Sequence, residues 1–152
     1  MLDPKPLKKN IISDLRVELA EEFDKNFQRK AFFTERWKKS RNPNARGSLL
    51  VVTGTLRRSI QASETPDGVR FTSNVPYATL HNEGGKGSVT VRQHTRTSKK
   101  GKTYAVRQHN RTVNVPQRQF VGDGPDTRRI IKSVIDDNLQ QYNNELTTAL
   151  RQ

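Results

Sequence analysis

The segment KPLKKNIISDLRVELAEEFDKNFQRK, residues 5–30, decides the fold class because its apolar residues recur every three or four positions. This spacing places them on one stripe of an α-helix, and charged side chains fill the other positions. The stripe consists of Ile12, Leu15, Leu19, Phe23 and Phe27. Asp3 before Pro4 resembles a helix-start signal. We therefore predict a long amphipathic N-terminal helix that packs its stripe into a core.

A second stripe runs through the C-terminal segment. Pro125 occupies a first helical position and Asp126 falls in the first turn, and both choices favour a helix start. The residues at helical spacing after this start are Ile131, Val134, Ile135, Asn138, Tyr142, Leu146 and Leu150. A second long amphipathic helix is predicted.

Short strands and turns are indicated between the two helices. Pro66-Asp67-Gly68 is a turn signal between residues 60–65 and 69–73, which predicts a β-hairpin. Thr53-Gly54 interrupts an apolar run and favours a short helical turn ahead of the first strand. Residues 40–47 are rich in turn formers and are predicted to form a surface loop.

A short helix or turn is predicted at residues 75–85, which contain a proline near the start and close with two glycines. Tyr77, Leu80 and His81 would share the inner face of this element. His81 is interpreted as a packed, hydrogen-bonded histidine, because no catalytic or metal-ligand constellation accompanies it.

Residues 86–118 carry most of the excess positive charge. The chain has 28 basic and 15 acidic residues, a net charge of +13, and this segment has nine basic residues and no acidic one. Within it, VRQHTRT at residues 91–97 recurs as VRQHNRT at residues 106–112. Two strand-like copies around a glycine-containing turn predict a protruding basic β-hairpin at about residues 86–115. Its candidate contact residues are Arg92, Arg96, Lys99, Lys100, Lys102, Arg107 and Arg111.

The charge of this hairpin supports two interpretations. Positive charge without acidic neighbours is tolerated when it is solvated, or when it faces an anion such as DNA or an acidic protein surface. Tyr104 is the only aromatic residue in the segment, which favours phosphate contact over base stacking. A solubilising loop explains the composition equally well, and the sequence leaves the strand register open.

Composition excludes several classes of chemistry. The chain has no cysteine, so disulfides, cysteine nucleophiles and the usual structural zinc sites are excluded. No nucleotide-binding glycine loop is present, and no apolar run is long enough for a signal peptide or a membrane span. We therefore expect a protein made in the cytoplasm, with no membrane partner and no cofactor.

The sequence leaves two alternatives to this expectation, a histidine metal site and a metal-dependent nuclease. His94 and His109 would supply part of a metal site if the hairpin brought them together, but exposed histidines are the simpler interpretation. A nuclease would need acidic metal ligands gathered in one cleft. The available acids follow no recognisable spacing: Asp67, Glu83, Asp123 and Asp126.

Four separated motifs resemble the phage virion morphogenesis, or tail-completion, family of Mu-like phages and prophages. They are the helical start ending in Phe33 and Trp37, the run from Leu50 to Ile60, the run from Pro76 to Gly84, and the run from Pro116 to Gly122. The positions that carry the resemblance are Trp37, Thr53, Gly54, Leu56, Ser59, Tyr77, Ala78, His81, Gly84, Arg118, Phe120 and Gly122. The chain has Arg118-Gln119-Phe120 where the family frequently has Arg-Pro-Phe.

The resemblance implies one α+β domain over residues 1–152, with long N-terminal and C-terminal helices packed on a small antiparallel sheet. It further implies a non-enzymatic structural protein of the virion that completes the tail or head–tail connector by forming a ring. Its partners would be copies of itself and other phage neck, connector or tail proteins. The hairpin would then line the DNA channel or clamp a neighbouring subunit. The alternative is a stand-alone basic DNA-binding protein that uses residues 86–118.

Overall fold

The two predicted long helices lie side by side in an α+β fold. The computed structural model describes residues 5–41 and 47–151. Its helices are α1 (Lys5–Arg29), α2 (Thr55–Ser59), α3 (Ala78–Glu83) and α4 (Pro125–Leu150). The predicted start signal Asp3-Pro4 and residues 42–46 of the predicted loop lie outside the described residues. The fold class and both long helices are confirmed.

Helices α1 and α4 run antiparallel. Gly124, just before α4, lies against the ring of Phe32, which follows the end of α1. Farther along α4, the Asn138 Nδ2 donates a hydrogen bond to the Asp14 carboxylate over 2.8 Å. The predicted start of α4 is also confirmed, since Pro125 opens it and Asp126 lies in its first turn.

The predicted stripe of α1 forms most of the first core cluster. Leu15, Leu19 and Phe23 are buried there together with Phe32 and Val134. Ile11 packs against this cluster in place of the predicted Ile12. The stripe of α4 is less completely covered than the one on α1: Val134 is buried, but Leu150 is 84% exposed.

The described strands form four separate two-stranded antiparallel sheets rather than one continuous sheet. The strands are β1 (Ala31–Phe32), β2 (Glu35–Arg36), β3 (Gln61–Thr65), β4 (Gly68–Thr72), β5 (Gly85–Val91), β6 (His94–Thr97), β7 (Thr103–Val106) and β8 (His109–Val115). The predicted hairpin around Pro66-Asp67 is confirmed as β3–β4, and the predicted helical turn ahead of it is α2. The β1–β2 hairpin was not predicted, because two-residue strands show no periodicity.

Exposed ion pairs join α1 to the elements beside it. Arg57 of α2 makes a bidentate contact with Asp24 of α1, and Arg16 of α1 lies 3.0 Å from Glu64 of β3. Such surface pairs contribute at most about 1 kcal/mol each. They orient the β3–β4 hairpin on α1, while burial of Phe23 against Phe71 (ring centroids 4.9 Å apart) supplies more of the stability.

Candidate functional site

The four motifs of the sequence analysis meet in a second buried cluster, which we call the motif cluster. Each motif contributes one buried side chain packed around Phe27 of α1: Trp37, Leu56, Ala78 and Phe120. The Phe27 ring centroid lies 5.8 Å from that of Trp37 and 5.1 Å from that of Phe120. These four motif positions therefore act in packing, and they bring their neighbouring residues to one end of α1.

Side chains hold the fourth motif in place where it passes through this cluster. Asn82 Oδ1 accepts hydrogen bonds from the Phe120 amide (2.9 Å) and from the next amide along the chain (3.1 Å). The Phe120 carbonyl accepts from Asn26 Nδ2 over 3.1 Å, and the Gln119 carbonyl accepts from Trp37 Nε1 over 2.7 Å. A buried backbone group left without a partner costs about 1–3 kcal/mol, so these side chains stabilise the segment.

Asn26 and Asn82 were not among the predicted site residues. Asn26 is fully buried, and its Oδ1 also accepts from the Phe33 amide over 2.9 Å. A polar residue between Phe23 and Phe27 on the buried face of a helix was the available signal, because such a residue requires a buried partner. Nothing comparable marks Asn82, whose role depends on where the fourth motif passes.

The motif glycines permit close approaches and left-handed backbone. Gly84 has φ +73°, and a Cβ placed on it would lie 2.7 Å from the Gln117 backbone nitrogen. Beside this contact the Arg118 amide donates to the His81 carbonyl over 2.9 Å. Gly54 and Gly122 also have positive φ, immediately before α2 and close to the start of α4. Glycine at Gly84 therefore lets the third and fourth motifs touch through their backbones.

The motif hydroxyls make local hydrogen bonds around α2. Thr53 Oγ1 lies 2.7 Å from Thr55 Oγ1, and the Thr53 carbonyl accepts from Arg58 over 2.9 Å. Ser59 Oγ donates to the Leu56 carbonyl and shares a hydrogen bond with Ser73 Oγ, each over 2.7 Å. These contacts fix both ends of the short helix that presents Leu56 to the core.

A surface cavity of about 640 Å³ opens beside the motif cluster, and we call it the Arg118 cavity. Its basic lining residues are Lys30, Lys39 and Arg118, and its aliphatic wall includes Leu49, Leu50 and Val52. No Asp or Glu lines the cavity among the described residues. Tyr77 and His81 also line the cavity, with ring centroids 5.8 Å apart. The prediction of an inward-facing Tyr77 was wrong, since this residue is 44% exposed at the cavity.

Within the described chain, Arg118 has no acidic partner and one ring nitrogen of His81 has no hydrogen-bond partner. Arg118 is 8% exposed, and its Nε donates to the Lys38 carbonyl over 3.0 Å, but no carboxylate of the described chain pairs with it. His81 Nδ1 is buried without a partner in the same part of the chain, so the prediction of a hydrogen-bonded ring fails at this atom. Burial, and then the charge of Arg118, lower the pKa of His81 below its ordinary value, so the ring is neutral near pH 7.

The predicted basic hairpin is confirmed as two consecutive paired sections, β5–β8 and β6–β7, and we call residues 85–115 the basic arm. Both sections keep one register, which places Val91 opposite His109 and His94 opposite Val106. The pairing is interrupted at Arg92-Gln93 in one strand and at Arg107-Gln108 in the other. The two copies of the repeat therefore face each other across this break as equivalent halves.

The histidines of the repeat make the same local contact in each copy. His94 Nδ1 donates to the Arg92 carbonyl and His109 Nδ1 donates to the Arg107 carbonyl, both over 2.9 Å. Because each histidine is paired with a valine, the register does not bring the two imidazoles opposite each other. No group of three or more potential metal ligands occurs within the described residues.

The candidate contact residues of the basic arm are all exposed. None of the side chains of residues 85–115 is fully buried, and at the tip the Gly101 amide donates to the Ser98 carbonyl over 3.0 Å. At the base, Gly87 packs against Leu80 of α3. The exposed cations are Arg92, Arg96, Lys99, Lys100, Lys102, Arg107 and Arg111. None of these seven forms an ion pair with an acidic residue of the described chain.

Comparison with known proteins agrees with the motif resemblance. Among the described residues, no helix combines the length and apolar character needed to cross a bilayer. No curated protein and no solved structure matches the chain. The model of the phage virion morphogenesis family matches residues 2–140, a range that includes all four motifs and the basic arm. The chain therefore belongs to the phage virion morphogenesis family, and its role is structural, in building the phage particle.

Proposed function

We propose that this chain completes the tail or the head–tail connector of a tailed phage or prophage by assembling with copies of itself into a ring. The observation that carries the proposal is the basic arm, a whole hairpin without a buried side chain or an acidic residue. A projection that adds nothing to the core of its own subunit is suited to contacts outside it. The ring would be a closed, head-to-tail arrangement of copies.

The proposed ring gives the two halves of the fold different roles. The body is the described chain outside the basic arm, and its two core clusters hold the subunit together. Residues 1–152 act as one domain. The basic arm extends from α3 to a neighbouring subunit or to the DNA that passes through the channel, using the seven exposed cations as contact residues. Other phage neck, connector or tail proteins are the further partners, and the assembled protein is located in the virion. No catalytic step belongs to this role.

Mass measurement and particle analysis test this proposal. The full chain is studied by light scattering and sedimentation at rising concentration, and virions of the parent phage are examined by mass spectrometry. We expect a single defined oligomer and a fixed copy number of the chain per particle. A phage carrying a stop codon in this gene should accumulate heads and tails that fail to join. A chain that stays monomeric and is absent from infectious particles would contradict the proposal.

A stand-alone DNA-binding protein is the second candidate, and the seven unpaired cations of the arm favour it. The test compares duplex DNA binding by the wild type and by a variant with Lys99, Lys100 and Lys102 changed to Gln. Each lost phosphate contact should reduce the slope of log affinity against log salt by about 0.9. A matched variant with Lys9, Arg36 and Arg70 changed to Gln removes the same charge from the body. Equal slopes for the two variants would reject DNA contact by the arm.

A further inference from the structure

The Arg118 cavity contains a buried cation that has no counter-ion among the residues that the structure describes. Arg118, which is 8% exposed, is the only charged residue among the buried residues of the described chain. Within the described chain, its side chain donates a hydrogen bond from Nε to a neutral acceptor, the Lys38 carbonyl. Burying a charge is unfavourable unless an opposite charge or several hydrogen bonds compensate it. The remaining guanidinium N–H groups of Arg118 can therefore donate to an anion, which no described residue of the subunit provides.

The described residues around Arg118 add further positive charge to the cavity and no negative charge. Lys30 and Lys39 line the same cavity, and no acidic residue does so in the part of the chain that the structure describes. The segment between Ser40 and Gly47 has the sequence Arg-Asn-Pro-Asn-Ala-Arg, which contains no carboxylate and cannot neutralise the site. His81 adds a buried Nδ1 that lacks a partner. Three cations and an unpartnered ring nitrogen thus border one space.

The cavity is also partly apolar, which restricts the kind of anion it fits. Leu49, Leu50 and Val52 form an aliphatic wall, and the exposed ring of Tyr77 borders the opening. A free inorganic ion would leave this wall in contact with water. A charged group on a short apolar stem, with an aliphatic neighbour, would cover both the wall and Arg118.

We propose that the Arg118 cavity binds the carboxylate of an aspartate or glutamate side chain that an apolar-flanked segment of a partner protein inserts. The carboxylate pairs with the Arg118 guanidinium, because two N–H groups of a planar guanidinium match the two oxygens of a carboxylate. Lys39 at the exposed rim attracts the acidic segment, and the aliphatic wall takes the residue next to the acid. This site is independent of the basic arm and of whether the chain forms a ring.

A phosphate of nucleic acid fits the same cavity less well. A phosphate within a duplex backbone is flanked by sugars, which hinder its approach to a residue that is only 8% exposed. The basic arm, with its seven exposed cations, is the surface that suits a phosphate backbone. The test therefore includes a phosphodiester as the competing ligand.

The experiment follows the histidine ring signals of the full-length labelled protein by NMR. The probe is the peptide acetyl-Leu-Glu-Leu-amide, its matched control is acetyl-Leu-Gln-Leu-amide, and the phosphodiester probe is the dinucleotide thymidylyl-thymidine. We expect the Glu peptide to shift the His81 signals saturably and to raise the pKa of His81, because a nearby carboxylate favours the imidazolium. His94 and His109, in the arm, report from the same spectrum and should not move.

Variants assign the effect to the cavity. Lys39→Gln removes an exposed rim charge and should weaken binding of the Glu peptide about threefold. Lys99→Gln removes an equivalent charge from the arm tip and should leave the affinity unchanged. Arg118→Met should abolish binding of the Glu peptide. If Arg118→Met does not fold, the affinity of Lys39→Gln for this peptide tests the assignment instead. Equal shifts with the Glu and Gln peptides, no saturable shift of His81, or a larger shift with the dinucleotide would each overturn the proposal.

Discussion

The motif cluster and the basic arm use side chains in opposite ways. In the motif cluster, each of four motifs that are distant in sequence buries one side chain. The side-chain amides of Asn26 and Asn82 form hydrogen bonds with the backbone of the fourth motif. In the arm, residues 85–115, backbone pairing between strands is the main internal contact and the side chains face solvent. Stability of the subunit is therefore concentrated in the cluster, and the arm can change its side chains with little effect on folding.

The largest expected effect is the loss of a buried ring from the motif cluster. Phe120→Ala removes the ring packed on Phe27 and should lower the free energy of unfolding by about 3–5 kcal/mol. The matched change in the arm is Tyr104→Ala, where the ring is 44% exposed and the expected loss is below about 0.5 kcal/mol. Urea unfolding of both variants measures the difference. Similar losses would remove the contrast between the two regions.

Two glycines with similar φ angles allow the cost of backbone strain to be measured separately from the cost of a steric clash. Gly84→Ala places a Cβ 2.7 Å from the Gln117 nitrogen at φ +73°, and we expect a loss of about 3 kcal/mol. Gly101 at the arm tip has a similar φ of +78° but no atom within 4 Å of the added Cβ. Gly101→Ala should therefore cost only about 1 kcal/mol. Thermal and urea unfolding give both values, and equal costs would show that strain alone explains Gly84.

Removal of a half-buried side-chain amide gives an intermediate effect. Asn82→Ala leaves the amides of Phe120 and of the following residue without their acceptor, and should cost about 2 kcal/mol. In the arm, Asn110 Oδ1 accepts a hydrogen bond from the exposed Thr90 hydroxyl. Asn110→Ala should therefore change the free energy of unfolding by less than about 0.5 kcal/mol. Hydrogen exchange should also quicken at the Phe120 amide in Asn82→Ala alone. Unchanged protection there would contradict the assigned role of Asn82.

The pH dependence of stability tests the buried ring of His81. Its pKa is lowered in the folded state, so between the ordinary value of about 6.5 and the lower folded value the unfolded chain binds more protons. Stability should therefore be constant above pH 6.5 and fall as the pH decreases through this window. His81→Asn should remove the fall that begins below about pH 6.5 in the unfolding curves. A wild-type curve that is flat there would contradict a buried neutral ring.

The smallest expected effect on folding comes from the charges of the arm. Arg96→Gln combined with Arg111→Gln changes two exposed side chains without ion pairs in the described chain, and should shift the unfolding free energy by less than about 0.5 kcal/mol. The same variant should weaken the oligomer proposed above. A stability loss as large as that of Asn82→Ala would mean that the arm packs on the body.

Sequence periodicity predicted the elements whose signals are local. The stripe of α1 and the hairpin around Pro66-Asp67 followed from residues next to each other in the chain, and both were confirmed. Residues of the motifs were predicted, but the role of Arg118 as a buried cation was not. Its burial depends on the path of the fourth motif past Lys38 and His81, which no local pattern encodes.

Some predictions failed where a side chain's surroundings come from distant segments. We predicted a hydrogen-bonded His81, but no described residue provides a partner for its Nδ1. His94 and His109 were considered as a possible pair, and the register places valines opposite them instead. The two histidines would lie opposite each other only if the register shifted by three residues, and the repeat alone does not fix the register.

By itself, the sequence determined two amphipathic helices, a basic hairpin and the membership of a phage structural family, since periodicity, turn residues and motif order are properties of a linear chain. Only the tertiary structure decided that four distant motifs share one cluster, that Asn26 and Asn82 hold the fourth motif, and that Arg118 is buried with no counter-ion in the described part of the chain. The physical reason is that burial and hydrogen-bond partnership are set by which segments approach in space.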